Sequence, residues 1–213
     1  MRIGIVGAGR IGGNAGRLFA GAGHEVMFSG SRDPAKLEGL AREAGGARTG
    51  SPREAVEFGD VVLFSPPWGR IDEVISEMGD LDGKVVIDTT NQFGPDGVEE
   101  LPDGKTAAQL NKERLAGAKY VKAFNTLTAG FQGAAAGRSG DERVAMFFCG
   151  DDDEAKETVK KLIRDIGFAQ VDAGGLADAA VMEAPRREGA VYGEEFSKPE
   201  AVEFLEKARS GGE

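Results

Sequence analysis

Histidine and cysteine are nearly absent from this chain, because its 213 residues contain only one of each. A single cysteine excludes a disulfide within the chain, which is typical of proteins from a reducing cytoplasm. Cys149 lies in the apolar run RVAMFFCG, and we interpret it as core packing. His24 lies between a predicted helix and a predicted strand, away from the candidate site described below. Without a Ser/His/Asp set or a Cys/His cluster, we predict no catalytic side chain and no metal.

Basic stripes and long apolar runs are also missing. The formal net charge is −10 at pH 7, and without a basic surface we expect no binding to nucleic acid or to anionic membranes. The apolar stretch after Arg2 is interrupted by glycine within a few residues, so it is too short for a signal sequence or a membrane span. These absences predict a cytoplasmic protein.

Short apolar runs alternate with helical patterns, which predicts an α/β fold: a doubly wound, mostly parallel sheet with a small C-terminal helical and strand extension. We place the main domain at residues 1–143 and the extension, packed on the same domain, at 144–213. Residues 174–198 have weak periodicity; we predict a helix at Leu176–Glu183 and then a loop that is either a lid or a dimer contact. The predicted strands are Ile3–Val6, Glu25–Ser29, Ala47–Thr49, Val61–Phe64, Lys84–Asp88, Tyr120–Ala123, Val144–Cys149 and Ala169–Asp172.

A glycine-rich turn follows the first predicted strand and opens a helix, which is the context that gives the G-x-G-x-x-G pattern its meaning. Gly7 permits the tight turn, Gly9 leaves the backbone open to a pyrophosphate, and Gly12 lets the helix pack close to the strand. The helix N-terminus then offers free N–H groups to the phosphates. The turn predicts the dinucleotide site of a Rossmann fold, with the binding residues Gly7, Ala8, Gly9, Arg10, Ile11 and Gly12.

The end of the second strand indicates which dinucleotide is bound. An NAD-preferring site usually has an acidic residue there for the ribose 2′-hydroxyl, but this strand ends Ser29-Gly30-Ser31-Arg32. Ser31 can donate a hydrogen bond to a 2′-phosphate, and Arg32 can form a charge-assisted pair with it. Lys36, one turn into the next helix, adds a second positive charge. We therefore predict NADP as the cofactor.

Prolines and polar residues follow the next strands of the predicted sheet. Ligands of open α/β sheets lie across the carboxyl ends of the strands, so we expect these residues to line one cleft. Trp68 either covers the cofactor or packs against the sheet edge. Each polar residue, with Asp88 and Thr126 among them, either contacts a ligand or satisfies a turn. The residues that we assign to cofactor binding are Ser65, Pro66, Pro67, Trp68, Thr90, Asn91 and Asn125.

A family resemblance joins these motifs. MRIGIVGAGRIGG, the Ser31-Arg32 pair, the SPPW stretch, Asp88–Asn91 and VKAFNT together resemble the NADPH-dependent reductases of the deazaflavin coenzyme F420. The resemblance spans about Met1 to Gly193. It implies a Rossmann domain, a homodimer, and a deazaflavin ring stacked over the nicotinamide, with no side chain acting as acid or base in the hydride step. The cradle sequence GAGRIG differs from the GGTG-type loop that members of this family often carry.

Three functions are compatible with the sequence. The first is an NADP-dependent oxidoreductase that transfers hydride between NADPH and the deazaflavin F420. The second is an NADPH-dependent reductase of another small-molecule redox acceptor, such as a flavin, quinone, carbonyl or imine. The third is a non-catalytic NADP(H)-sensing module. An acceptor-sized pocket facing the nicotinamide would count against the sensor.

Overall fold

The sheet that forms the centre of the molecule is built mostly from parallel strands. The computed structural model describes residues 1–30 and 33–210, so the predicted cofactor residues Ser31 and Arg32 lie outside the described residues, as do residues 211–213. The described strands are β1 (Arg2–Val6), β2 (Glu25–Ser29), β3 (Arg48–Thr49), β4 (Val61–Phe64), β5 (Val85–Asp88), β6 (Phe93–Gly94), β7 (Gly97–Val98), β8 (Lys119–Ala123), β9 (Ala145–Cys149) and β10 (Ala169–Asp172).

Eight of the described strands form one sheet in the order β10-β9-β8-β5-β4-β1-β2-β3. Every pairing is parallel except that of β8 with β9, which is antiparallel. The predicted doubly wound, mostly parallel fold is therefore confirmed. The chain leaves β1 toward β2 on one side and reaches β4 on the other, so the ligand crevice of this topology lies at the carboxyl ends of β1 and β4.

Helices cover both faces of this sheet. The described α-helices are α1 (Arg10–Gly21), α2 (Pro34–Glu43), α3 (Pro52–Phe58), α4 (Ile71–Met78), α5 (Ala107–Arg114), α6 (Ala129–Ala135), α7 (Asp153–Asp165) and α8 (Lys198–Ser210). These helices bury two apolar layers, one under α1, α2, α6 and α7 and the other under α3, α4, α5 and α8.

Helix starts follow the caps that the sequence predicts. Ser51 and Glu54 exchange hydrogen bonds at the start of α3, and Thr106 and Gln109 do the same at the start of α5. These reciprocal bonds satisfy backbone N–H groups that a helix N-terminus otherwise leaves without partners. Local sequence therefore fixes where the chain turns from a loop into these two helices.

Cys149 is fully buried at the end of β9. Burial raises the pKa of its thiol to about 12, so the thiol stays protonated and unreactive at neutral pH. Its predicted role in core packing agrees with this position.

The chain after β10 returns to the carboxyl ends of the strands. The predicted helix at Leu176–Glu183 is a 3₁₀ helix, Leu176–Met182, and the segment after it reaches Thr126, whose carbonyl accepts a hydrogen bond of 2.8 Å from the Gly193 N–H. The boundary at residue 143 stays a prediction, while β9 and β10 continue the sheet beyond it. Among the described helices, none is long and apolar enough to cross a membrane.

Candidate functional site

The glycine turn after β1 is held tightly against its neighbours. The N–H groups of Gly7 and Ala8 donate to the Ser29 carbonyl at 3.2 and 3.0 Å. Gly7 has a φ of +101°, and a Cβ there would lie 2.5 Å from the Ser65 carbonyl oxygen. Only glycine combines this left-handed conformation with so close an approach.

The other two glycines of the motif differ in what surrounds them. A Cβ at Gly12 would lie 2.2 Å from the Gly7 carbonyl oxygen, whereas a Cβ at Gly9 would meet no atom within 4 Å. Gly12 is thus needed for helix packing, while Gly9 faces open space at the start of α1. Among residues 1–30 and 33–210, no side chain caps the N-terminus of α1, so its first N–H groups are available to an anionic ligand.

A cleft of about 820 Å³ runs from this turn across the carboxyl ends of the strands. It brings together most of the predicted cofactor residues, while Gly12 lies behind the cleft lining. The predicted residues that line the cleft are residues 7–11, Lys36, residues 65–68, Thr90, Asn91 and Asn125.

Asn125 is fixed in the cleft by residues 174–198, the C-terminal segment, which returns to this edge of the sheet. Its Nδ2 donates to the Met182 carbonyl at 2.7 Å and to Asn91 Oδ1 at 3.2 Å. Because a carbonyl can only accept, the amide orientation follows from these contacts. Within the described chain, the buried atoms Asn125 Oδ1 and Thr126 Oγ1 have no hydrogen-bond partner. An unsatisfied buried acceptor costs about 1–3 kcal/mol, so this corner is prepared for a ligand with N–H groups.

A strained residue precedes Asn125. Phe124 is fully buried and has a φ of +63°, a conformation that costs a bulky residue about 1–3 kcal/mol. Gln132 holds it there, because its Nε2 donates to the carbonyls of Phe124 and Leu127 at 3.0 and 2.8 Å. This backbone conformation places the next residue, Asn125, in the lining of the cleft.

A buried group of charges lies beneath Thr90. Lys122 Nζ is fully buried, 3.3 Å from Asp88 Oδ2 and 3.7 Å from Glu183 Oε1, and it donates to the Thr90 carbonyl at 2.8 Å. Glu183 also accepts from the N–H groups of Ala107 and Ala108 at the start of α5. The lysine therefore links β5, β8 and the C-terminal segment to the floor of the cleft.

Asp88 receives further hydrogen bonds inside this group. Tyr120 donates its hydroxyl to Asp88 Oδ2, and Asn111 Nδ2 donates to the same oxygen at 3.0 Å and to Thr90 Oγ1 at 3.0 Å. Burial, followed by the Asp88 charge, raises the pKa of Tyr120 well above its usual value. Asp88 is thus a structural anchor for Thr90 and does not line the cleft.

Trp68 combines the two roles that the sequence left open. It lines the cleft, yet only 8% of it is exposed. Its indole N–H donates to Glu99 at 2.9 Å, and the Arg114 guanidinium lies 5.2 Å from the ring centroid. Through Glu99, Trp68 fixes the β6–β7 hairpin at the rim of the cleft.

Sequence reasoning missed several residues that line the same cleft. Phe93 comes from the two-residue strand β6, Tyr192 comes from the segment without periodicity, and Arg70 follows Trp68. Thr89 and Thr126, which the polar signals at strand ends had indicated, line the cleft as well. Phe93 and Tyr192 reach the cleft through tertiary contacts between distant segments.

Comparison with known proteins shows which part of this chain matches a described family. Residues 2–92 match the family model described as "NADP oxidoreductase coenzyme F420-dependent". The predicted resemblance to this family is confirmed. Metalloreductase STEAP3 of Rattus norvegicus is 31% identical over 183 residues, which are 86% of this chain and 36% of that protein. The chain therefore spans about a third of that curated relative.

Solved structures share the fold. A hypothetical protein of Sinorhizobium meliloti is 28% identical with a TM-score of 0.82, and the match covers 93% of this chain and 95% of that one. A putative F420-dependent NADP-reductase from Arthrobacter sp. FB24 has a TM-score of 0.71 at 22% identity, covering 84% of this chain and 87% of that one, which supports the fold. The chain is thus a relative of NADP-dependent oxidoreductases.

The two glycines of the turn give a matched pair of variants. We expect Gly9→Val to remain folded and to lose NADPH binding, because the side chain would occupy open space needed by the pyrophosphate. Gly12→Val should instead lower thermal stability, because its Cβ meets the Gly7 backbone. Calorimetric titration and thermal unfolding separate the two effects. Normal NADPH binding by Gly9→Val would remove the cradle assignment.

The buried lysine gives a prediction about stability. Lys122→Met should lower the free energy of unfolding by about 3–5 kcal/mol, because it leaves the carboxylates of Asp88 and Glu183 buried without their cation. The control Lys160→Met removes an exposed ion pair with Glu157 and should change stability by at most about 0.5 kcal/mol. Denaturant unfolding measures both. If the two variants lost the same amount of unfolding free energy, the buried lysine would contribute no more to stability than an exposed ion pair does.

Proposed function

We propose that this protein transfers hydride between NADPH and a deazaflavin coenzyme of the F420 class. The observation that carries the proposal is the cleft that begins at the glycine turn and continues past Asn125, whose buried acceptor has no partner among the described residues. A dinucleotide bound across the strand ends of such a sheet has its phosphates at the glycine turn and its nicotinamide further along the cleft. The resemblance also implies a homodimer, and the composition predicts a cytoplasmic location; both belong to the proposal.

The residues at both ends of the cleft fit NADP. Gly9 leaves open space at the N-terminus of α1 for the pyrophosphate. At the other end, the nicotinamide carboxamide carries an NH₂ group with two donors, and Asn125 Oδ1 is a buried acceptor without a partner in the described chain. Asn125 and Thr126 would therefore orient the nicotinamide.

The strand tip also supports the phosphorylated nucleotide. Gly30 stands where an NAD site usually has its acid, with a φ of +79°, and a Cβ there would lie 2.9 Å from the Gly7 nitrogen. The close approach to the glycine turn therefore excludes a carboxylate at this position. Lys36 lines the same end of the cleft, and Ser31 and Arg32 remain the sequence-based candidates for the 2′-phosphate.

The cleft favours an acceptor that needs no proton from the protein. When bound, the nicotinamide supplies the hydride. Among the described residues, neither a carboxylate nor a histidine lines the cleft. A carbonyl acceptor would need a donor for its developing alkoxide, whereas a deazaflavin ring takes hydride when it is stacked at about 3–3.5 Å. The task of the chain is thus to bind, orient and exclude water.

Tyr192 favours a second candidate function. Its side chain lines the cleft, and burial raises its pKa above the usual value, so its phenol stays protonated at neutral pH. A protonated hydroxyl beside the nicotinamide end could serve a carbonyl or imine reductase. The NADP(H)-sensing module is less favoured, because the cleft extends beyond Asn125 toward Phe93 and Tyr192.

The proposal is tested by mixing the purified protein with each nucleotide and a panel of acceptors. We expect NADPH oxidation, followed by its absorbance, with the deazaflavin, and at least about tenfold tighter binding of NADPH than NADH, or about 1.4 kcal/mol. If NADPH were oxidised only with a carbonyl, imine or quinone, the second function, a reductase of another acceptor, would replace the deazaflavin reductase. Tight NADPH binding without turnover of any acceptor would favour the non-catalytic NADP(H)-sensing module.

A second prediction concerns the nicotinamide end. Asn125→Ala should weaken NADPH binding up to about tenfold, the equivalent of one hydrogen bond, and leave adenosine 2′,5′-diphosphate binding unchanged, since that fragment lacks nicotinamide. Gln92→Ala is the matched control, because Gln92 Nε2 also ties the C-terminal segment, through the Ala184 carbonyl at 3.0 Å, but does not line the cleft.

Titration of each variant with NADPH and with the fragment measures these effects. Equal weakening of both ligands by Asn125→Ala, or the same loss of NADPH binding in Gln92→Ala, would contradict the placement of the nicotinamide.

A further inference from the structure

Two aromatic rings stand at the mouth of the cleft, beyond the nicotinamide end. Phe93 and Tyr192 line the cleft together, with ring centroids 6.3 Å apart and planes tilted by 50°. They come from distant parts of the chain, the β6–β7 hairpin and the C-terminal segment. The two rings are not stacked in parallel, and Phe93 is exposed while Tyr192 is half-buried.

The backbone fixes Tyr192 on both sides. Val191, which is fully buried, donates its N–H to the Val181 carbonyl at 2.8 Å. On the other side the Gly193 N–H donates to the Thr126 carbonyl at 2.8 Å, and the φ of +79° at Gly193 is one that favours glycine. The ring of Tyr192 is therefore held beside the Asn125–Thr126 corner.

Phe93 is held from the opposite side. Its strand pairs with β7, and the Glu99 side chain that follows β7 accepts the indole N–H of Trp68 at 2.9 Å. Gly94 leaves room for this carboxylate, because a Cβ there would lie 2.1 Å from Glu99 Oε1. The hairpin is thus tied to the wall of the cleft.

The exposure of Phe93 is explained if its ring contacts a bound ligand. The side chain belongs to a residue that is 48% exposed although it is large and apolar, and it lies in the cleft lining beside a second aromatic ring. Apolar surface grouped at the rim of a ligand cleft is typical of a binding site. A planar fused ring would cover it and would lie next to the nicotinamide.

We propose that Phe93 and Tyr192 form the binding surface for the fused ring of the hydride acceptor. This inference rests on the proposed function, since the acceptor ring is that of the deazaflavin. The surface selects flat aromatic acceptors over small carbonyls, because a small carbonyl compound cannot contact both rings and the nicotinamide at once. Both residues position the acceptor; neither takes part in the transfer of hydride.

The variants are chosen to separate ring contact from proton donation. Phe93→Ala and Tyr192→Ala remove one ring each, and Tyr192→Phe restores the ring without the hydroxyl. Val98→Ala is the control, because Val98 pairs with Phe93 on the hairpin and is exposed but does not line the cleft. The measurements are the KM for the deazaflavin at saturating NADPH, and the Kd for NADPH.

We expect Phe93→Ala and Tyr192→Ala to raise the deazaflavin KM about three- to tenfold, the range for one aromatic contact, with the NADPH Kd unchanged. Tyr192→Phe should rescue the KM of Tyr192→Ala, and Val98→Ala should behave as the wild type. An unchanged KM in both alanine variants would overturn the inference. So would a Tyr192→Phe variant whose kcat falls and changes its pH profile, because Tyr192 would then be a proton donor.

Riboflavin binding distinguishes failure of this inference from failure of the proposed function. Riboflavin has the fused ring and no phosphate, and its fluorescence anisotropy reports binding to the NADP⁺-saturated protein. Suppose that the deazaflavin is not reduced, but that riboflavin binds and that both alanine variants lower its affinity. The proposed function would then be wrong, while the binding surface formed by Phe93 and Tyr192 would be supported. If riboflavin binds equally well to both alanine variants and to the wild type, the ring surface falls.

Discussion

A fully buried lysine joins the parts of this molecule that form the acceptor end of its cleft. Lys122 lies between Asp88 and Glu183, and it also holds the Thr90 carbonyl. Removing one partner from such a buried group leaves an uncompensated charge, which costs far more than the intact group contributes. The C-terminal segment carries Glu183, so its return to the sheet is tied to the same charges as the strand ends. The position of Tyr192 depends on that return.

The two ends of the cleft are built by different means. At the nucleotide end the backbone determines the shape, because Gly7, Gly12 and Gly30 allow approaches that any side chain would block. At the acceptor end side chains from three distant segments converge: Asn125 after β8, Phe93 in the hairpin and Tyr192 near the C-terminus. A backbone site follows from a contiguous motif, whereas a convergent site depends on tertiary packing.

This difference explains how much the sequence could predict. The eight strands of the large sheet, the two capping boxes and the glycine turn are local features with local signals. The structure has these strands within one residue of their predicted bounds, whereas β6 and β7 were not predicted. Residues at strand ends, such as Thr90 and Asn125, follow from topology, because parallel strands end at one edge. Phe93 and Tyr192 gave no such signal, since β6 has two residues and the chain around Tyr192 is irregular. The role of Trp68 could not be predicted from the sequence either, because it depends on the hydrogen bond with Glu99 at the rim of the cleft.

The range of the family match has a physical meaning in this arrangement. It ends at residue 92, directly before Phe93, and it contains the glycine turn and the Thr90–Asn91 floor. The matched part therefore contains the proposed phosphate-binding turn, while Phe93, Asn125 and Tyr192 lie beyond it. A fixed nucleotide half can serve different acceptors when the chemistry needs only a ring placed against the nicotinamide, because stacking selects by shape and requires no acid or base. Under the proposed function, acceptor choice then rests on the few side chains that the hairpin and the C-terminal segment bring to the rim.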